Sequence, residues 1–202
     1  MFRQILALVG VLSLLMACTP HASLSPASAP SFPRFSTGGI RSIVVGPVAY
    51  ATYQPGEMCS VFIDEDLRSA LVRELRRRSY EAFAVGNSVP RSFSAGESPP
   101  LPGESPPAGP LLSPGTQGLL RVWIEEYFEN SLCGWEGPKY LTMGAVGVLY
   151  AGSPPQEVWR GRARVAEQGG YPAHELMWLV TSRVSEALLN DLPVAPDGQS
   201  RD

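Results

Sequence analysis

The stretch "LTMGAVGVLYAGSPPQEVWRGRARVA", residues 141–166, decides the fold because it holds two strand-like segments joined by a short turn. Residues 141–150 form an apolar run whose glycines permit bending or close packing. Residues 157–166 alternate between two faces, as a half-buried strand does. One face carries Trp159, Gly161, Ala163 and Val165, and the other carries Arg160, Arg162 and Arg164. The turn "AGSPPQ" is too short for a crossover, so the two strands are predicted to be antiparallel.

A third strand precedes this hairpin at residues 119–128, "LLRVWIEEYF". Its alternation places Leu120, Val122 and Ile124 on one face. The opposite face then carries Arg121, Trp123, Glu125 and Tyr127. The segment "NSLCGWEGP" connects it to residue 141, so the three strands are expected to form an antiparallel meander.

The first half of the domain has the pattern of a strand, a helix and a second strand. Residues 41–48, "RSIVVGPV", form a β-branched run, and residues 80–85, "YEAFAV", form a short strand. Between them a helix is predicted from Ser60, with an apolar stripe at Ile63, Leu67, Ala70, Leu71 and Leu75. Acidic residues occupy its first turn and arginines 76–78 its last turn, which matches the helix dipole. This distribution favours a solvated helix end over a binding patch at the arginines.

A second amphipathic helix is predicted at residues 173–192, with its stripe at Leu176, Val180, Val184, Ala187 and Leu188. Two helices can cover only one face of the sheet. The fold class is therefore α+β, a two-layer sandwich in the order β-α-β-(insertion)-β-β-β-α. Its sheet is expected to be mostly antiparallel.

Residues 90–116 contain the imperfect repeat "GESPPLP" and "GESPPAG". Proline blocks both helix and ladder hydrogen bonds, so this segment is expected to be a disordered or polyproline-like insertion in a single domain at residues 40–193. A proline-rich ligand for a partner is the alternative interpretation. Residues 194–202 are predicted to form a tail, which is polar from Asp197 to Asp202.

The start of the chain has the pattern of an export signal. Residues 1–17 combine Arg3 with an apolar run shorter than a membrane span. The sequence Leu15-Met16-Ala17-Cys18 resembles the lipobox of bacterial lipoproteins, which implies that Cys18 is lipidated and that cleavage precedes it. Several acyl chains hold such a protein firmly at a membrane, whereas a single chain binds only marginally. The Ser/Pro/Ala-rich residues 18–39 are then a flexible tether.

The other two cysteines, Cys59 and Cys133, both lie in predicted loops. An even number of remaining cysteines in an exported protein is compatible with a disulfide, which would stabilise the fold by roughly 4 kcal/mol. Two separate buried thiols are the alternative.

Enzyme signatures are missing from the sequence. His174 begins "HELMW", but Trp178 replaces the second histidine of a zinc-protease motif. Phosphate-loop and Gly-x-Ser-x-Gly motifs do not occur. Glu125 and Glu126 are adjacent in a strand and should point to opposite faces, which excludes a carboxylate pair. No catalytic residue, metal or cofactor is expected.

The net charge of −3 and the single lysine, Lys139, argue against a nucleic-acid partner. A protein-binding face is predicted instead, because Arg and aromatic residues are enriched in binding hot spots. Its residues would be Trp123, Tyr127, Arg160, Arg162 and Arg164. The alternative is an ordinary solvated sheet face on which carboxylates such as Glu125 pair with the arginines.

The succession "DEDLRSALVRELRRRSYEAFAV", "GLLRVWIEEY", "EVWRGRARV" and "LLNDLP" resembles envelope proteins such as the TolB N-terminal domain and the periplasmic domain of CsgG-like proteins. This resemblance implies a non-enzymatic lipoprotein that binds protein partners in envelope assembly or transport. The alternative is an auxiliary lipoprotein that handles lipid or a small ligand for an ABC-type transporter. By resemblance to enteric lipoproteins, Thr19 after the cysteine favours the outer membrane, with the domain in the periplasm.

Overall fold

The computed structural model describes residues 39–51, 63–84, 98–102, 117–130, 139–169 and 172–196. The described residues form five strands and two helices in the predicted order. These are β1 (Ser42–Tyr50), α1 (Ile63–Arg77), β2 (Glu81–Ala84), β3 (Gly118–Asn130), β4 (Lys139–Ala151), β5 (Gln156–Gly169) and α2 (Ala173–Leu188). Cys18, Cys59 and Cys133 lie outside the described residues, as do residues 1–38 and most of the proline-rich insertion.

The strands form one sheet in the order β2-β1-β3-β4-β5. β1 is parallel to both β2 and β3, while β3, β4 and β5 form the predicted antiparallel meander. The two-layer α+β class and the mostly antiparallel sheet are therefore confirmed. Pro47, which has no N–H to donate, is accommodated at a register shift of β1 between Val45 and Val48.

The main core lies between the two helices and one face of the sheet. The predicted stripe of α1 is buried throughout, and Leu176, Val180, Val184 and Leu188 of α2 are buried as well. They pack against Ile43, Val45, Met143, Ala145 and Val165 of the sheet. A smaller apolar cluster, made of Trp123, Val146, Val148 and Tyr150, lies on the opposite face. The described part of the chain contains no helix long and apolar enough to cross a bilayer.

Arg76 and Arg78, at the end of α1, hydrogen bond to other parts of the domain. These contacts come in addition to the favourable interaction with the helix dipole that the sequence predicts. Arg76 donates two hydrogen bonds to the carbonyl oxygen of Ala82, at 2.9 and 3.1 Å. Arg78 donates to the carbonyl oxygens of Leu192 at 2.8 Å and Asn190 at 3.3 Å. Tyr80 donates its hydroxyl to the carbonyl oxygen of Pro193 at 2.8 Å. Residues 190–195 therefore turn back to α1, and α2 ends at Leu188, short of the predicted residue 192.

Replacing Arg78 with alanine is expected to lower the free energy of unfolding by about 2 kcal/mol, because the carbonyl oxygens of Asn190 and Leu192 lose their charged hydrogen-bond donor. Arg77 is the matched control, since it is exposed and pairs only with Glu74 among the described residues. Urea unfolding of the two alanine variants measures the difference. Equal losses in both would show that residues 190–195 are not held by Arg78.

Candidate functional site

A β-bulge in β3 changes which side chains share a face. Ile124 lies opposite Ala145 and Glu126 lies opposite Gly144, so Glu125 is an extra residue without a partner of its own on β4. The alternation reverses beyond this point. Tyr127 therefore packs against the main core on the helix side, where its hydroxyl donates to Glu129 at 2.7 Å. The prediction that Tyr127 shares a face with Trp123 is wrong, because simple alternation assumes an unbroken ladder.

The bulge brings a different aromatic residue to the arginine face. Phe128 lies opposite Thr142, and Asn130 lies opposite Tyr140, so Phe128 and Tyr140 are diagonal neighbours across β3 and β4. Their exposed fractions are 58% and 37%. Sequence reasoning missed both residues. The sequence did contain a signal for the bulge. Glu125 and Glu126 are adjacent in one strand, and the same sheet carries a row of arginines that both glutamates can bind.

Trp123 lies on the predicted face but is fully buried. It packs with Val146, Val148 and Tyr150, and the guanidinium carbon of Arg121 lies 5.2 Å from the centre of its ring. The indole N–H has no hydrogen-bond partner among the residues that the structure describes. Trp123 is thus a packing residue of the smaller cluster and contributes no exposed surface.

Each of the three arginines on β5 binds a carboxylate. Arg160 forms a bidentate pair with Glu157, at 2.7 and 2.9 Å, and both side chains are largely buried. Arg162 pairs with Glu125 at 2.7 Å, as the alternative interpretation of this face anticipated. Arg164 binds Glu126 through two hydrogen bonds, at 2.7 and 2.8 Å. The prediction that Glu125 and Glu126 point to opposite faces is wrong, because the bulge turns both toward the arginine row.

Gly144 makes the Arg164–Glu126 pair possible across the intervening strand β4. A Cβ atom at Gly144 would lie 3.2 Å from the Cβ of Glu126, so a side chain there would crowd the bridge. The hydrogen bonds from Arg164 lower the pKa of Glu126. Reciprocally, they raise the pKa of Arg164. The pair is about half exposed on each side, which limits its contribution to stability to less than about 1 kcal/mol.

This pair predicts a specific pH dependence. Because the pKa of Glu126 is below its ordinary 4.5 in the folded state, the stabilisation is fully present above about pH 4.5 and is lost as the pH falls through the lowered pKa. Glu126→Gln is therefore expected to be less stable than the wild type at pH 7, with the difference shrinking as the pH falls below about 4.5. Urea unfolding across this range measures it, with Glu186→Gln on α2 as the control. A difference that stays constant with pH would contradict the assignment.

The four residues Phe128, Tyr140, Arg162 and Arg164 are called the distal surface below. Ile43 at the start of β1 lies opposite Gly118, and Phe128 is ten residues further along β3. At about 3.3 Å per residue, the aromatic pair lies about 33 Å from the end where residues 39–41 enter the sheet. The predicted tether and the aromatic pair of the distal surface therefore occupy opposite ends of the sheet.

Candidate metal ligands do not cluster in the part of the chain that the structure describes, where no group of three His, Cys, Asp or Glu residues occurs. His174 is exposed in the first turn of α2.

No family model and no curated protein matches this chain. Solved structures with a similar fold include the PelC dodecamer of Paraburkholderia phytofirmans, at 16% identity and a TM-score of 0.46, covering 85% of this chain and 98% of that one. Lipoprotein GNA1162 of Neisseria meningitidis matches at 15% identity and a TM-score of 0.45, covering 74% and 99%. A DUF330 protein of Xanthomonas campestris matches at 11% identity and a TM-score of 0.40, covering 82% and 85%. With TM-scores below 0.5, these similarities carry no inference about function.

Proposed function

We propose that this protein is a lipid-anchored envelope lipoprotein that binds protein partners in assembly or transport and performs no catalysis itself. The observation that carries the proposal is the exposed pair Phe128 and Tyr140, at the end of the sheet opposite the predicted tether and on the face that also carries Arg162 and Arg164. The anchor is inferred from the sequence Leu15 to Cys18.

The composition of the distal surface suits a protein interface. Large aromatic side chains supply apolar area at low entropic cost, and arginine is the charged residue most enriched at hot spots. The ion pairs leave Arg162 and Arg164 with 63% and 45% of their side chains exposed, so both can still contact a partner. An aromatic centre with a charged, partly solvated margin is the usual arrangement of a transient interface.

The position of the surface supports the same function. A flexible tether of about 20 residues has a root-mean-square length of roughly 25 Å, so the domain would remain near the membrane. When the tether end of the domain faces the membrane, the distal surface would face away from the membrane. A partner could bind there without displacing the bilayer.

The structure favours a protein partner over a lipid carried between the helices and the sheet. Trp159 and Leu188 fill the space beside Gly147 and Gly161, where an added Cβ atom would meet neighbouring atoms at 3.2 and 2.5 Å respectively. The described helix–sheet interface is thus closely packed at this point, and a lipid chain would have to displace buried side chains.

Photo-crosslinking in intact cells tests the proposal. A photoreactive residue at position 142, between Phe128 and Tyr140, is expected to give a protein adduct. Phe128→Ala should reduce its yield about tenfold, since loss of a moderate hot spot costs about 1.4 kcal/mol. Phe83 is the matched control, because it is 52% exposed on the same sheet face at the opposite end. Recovery of phospholipid alone, or equal losses from Phe83→Ala, would refute the protein-binding function.

A further inference from the structure

The outer face of the sheet, which is the face opposite the two helices, is buried near the tether end of the domain. Trp123, Val148 and Tyr150 point to this face and have no exposed surface. The adjacent ion pair of Glu157 and Arg160 on β5 keeps only 6% and 13% of its side chains exposed. Both described helices pack on the other face. Because an apolar sheet face is buried by a second layer, another part of the chain must cover this one.

The route of the chain from β2 to β3 identifies the part that covers it. β1 lies between these strands and is parallel to both, so the connection from β2 to β3 is a parallel crossover. Parallel crossovers are almost always right-handed. α1 makes the crossover from β1 to β2 on the helix side, and the next crossover runs in the opposite direction along the strand order. A right-handed connection from β2 to β3 therefore passes over the outer face.

This connection is also much longer than the gap between its ends. Ala84 at the end of β2 pairs with Val45, and Gly118 at the start of β3 pairs with Ile43. Two residues along β1 and two strands across it amount to roughly 12 Å. Residues 85–117 could span several times that distance, at about 3.1 Å per residue in the polyproline conformation. The connection is long enough to reach β4 and β5, where the buried part of the outer face lies.

The described part of the connection, residues 98–102, turns its prolines toward the domain. Pro99 and Pro100 are partly buried, whereas Ser98 and Pro102 are exposed. Leu101 is 69% exposed. A segment that adhered without specificity would bury leucine in preference to proline. Extended proline segments do bind aromatic side chains, because the polyproline conformation is already formed and little entropy is lost.

We propose that residues 98–102, "SPPLP", are an intramolecular polyproline ligand that covers the smaller apolar cluster, with Pro99 and Pro100 packed against Trp123 and Tyr150. This inference does not depend on the proposed partner binding. The segment then serves as a second layer of the domain, where composition alone predicts a disordered or polyproline-like insertion. It also divides the outer face between two occupants. The tether half holds a segment of the chain itself, and the aromatic pair of the distal surface is left for a partner.

The predicted tether is the competing occupant. Residues 39–41 enter the sheet at the end where Tyr150 lies, and residues 18–38 are also rich in proline. The handedness argument applies only to the connection between β2 and β3, which is why the proposal names residues 98–102. The other two described-strand connections lead elsewhere, since residues 52–62 join β1 to α1 on the helix side and residues 131–138 join β3 to β4 at the far end.

Hydroxyl-radical footprinting of the full-length protein in detergent tests the proposal, because it measures the exposure of single side chains. Trp123 and Tyr150 are expected to be protected in the wild type. Replacing residues 96–109 with a Gly/Ser segment of equal length should raise the oxidation of both toward that of the exposed Trp178. Trp159, which is buried on the helix side, should stay protected and thereby show that the fold is intact.

The two copies of the proline repeat supply a matched control. Pro99→Ser combined with Pro100→Ser is expected to expose Trp123. The same change in the second repeat, Pro106→Ser combined with Pro107→Ser, should leave Trp123 protected. Continued protection of Trp123 in both the Gly/Ser variant and the first-repeat variant would overturn the proposal. Equal exposure in the two repeat variants would overturn the assignment to residues 98–102.

Crosslinking within the intact chain covers the case in which the Gly/Ser variant does not fold, which oxidation of Trp159 would reveal. A photoreactive residue at position 99 is expected to form intramolecular links to residues 119–123 or 146–150, and one at the exposed position 101 should form far fewer. Absence of these links from position 99 would overturn the proposal. Exposure of Trp123 only when residues 19–38 are replaced would identify the tether as the occupant and also overturn it.

Discussion

Cys18→Ala is expected to release the protein from membranes into the soluble fraction. The sequence around Cys18 resembles a lipobox, and alanine offers no sulfur to which a diacylglycerol can be attached. Each buried methylene contributes about 0.8 kcal/mol to membrane binding, so loss of the acyl chains removes tens of methylenes at once.

Cell fractionation with an alkaline wash measures the release, and the mass of the purified protein measures the acyl chains. Cys59→Ala and Cys133→Ala are matched controls, since each removes one thiol and should leave the protein in the membrane fraction. If Cys18→Ala remained in the membrane pellet after the wash, the anchor would have to lie elsewhere in the chain.

The largest expected loss of stability comes from Gly161→Ala. A Cβ atom at this position would lie 2.5 Å from the carbonyl oxygen of Leu188 and 2.6 Å from two ring carbons of Trp159. Backbone at the end of α2 and a buried indole cannot move aside easily. The helix must shift away from the sheet, which is expected to cost about 3 kcal/mol.

Gly46→Ala is the control for this substitution, because its nearest atom, the carbonyl oxygen of Leu120, would be at an ordinary contact distance of 3.5 Å. Urea unfolding of the two variants separates overpacking from the general effect of removing a glycine. Coinciding unfolding midpoints would show that α2 does not lie against Gly161 as described.

The elements of this fold follow from local patterns. Short turns and period-two alternation predict the β3–β4–β5 meander, and the apolar stripes of α1 and α2 predict which helix faces are buried. Alternation also assigns Arg162 and Arg164 to one face. These features depend on residues that are near one another in the chain, so they can be predicted without knowing the tertiary structure.

The details of the distal surface depend on contacts between distant residues. The bulge at Glu125 inserts one residue, and it lets two adjacent glutamates bind arginines two strands away, with the Glu126–Arg164 pair crossing Gly144. Alternation predicts which face of the sheet carries Trp123. It does not predict that Trp123 is buried, because burial depends on the residues that pack over it. Simple alternation therefore predicts Tyr127 in the exposed position that Phe128 takes.

The hydrogen bonds between α1 and residues 190–195 have a consequence for biogenesis. The N–H of Ala195 donates to the carbonyl oxygen of Arg78 at 3.0 Å, which joins positions far apart in the chain. Contacts of such wide separation form late, because a long loop must close first. If the chain is exported from its N-terminal end, as the predicted signal implies, α1 emerges long before its partner. The domain would stay incompletely folded during translocation and close only when its last helix has arrived.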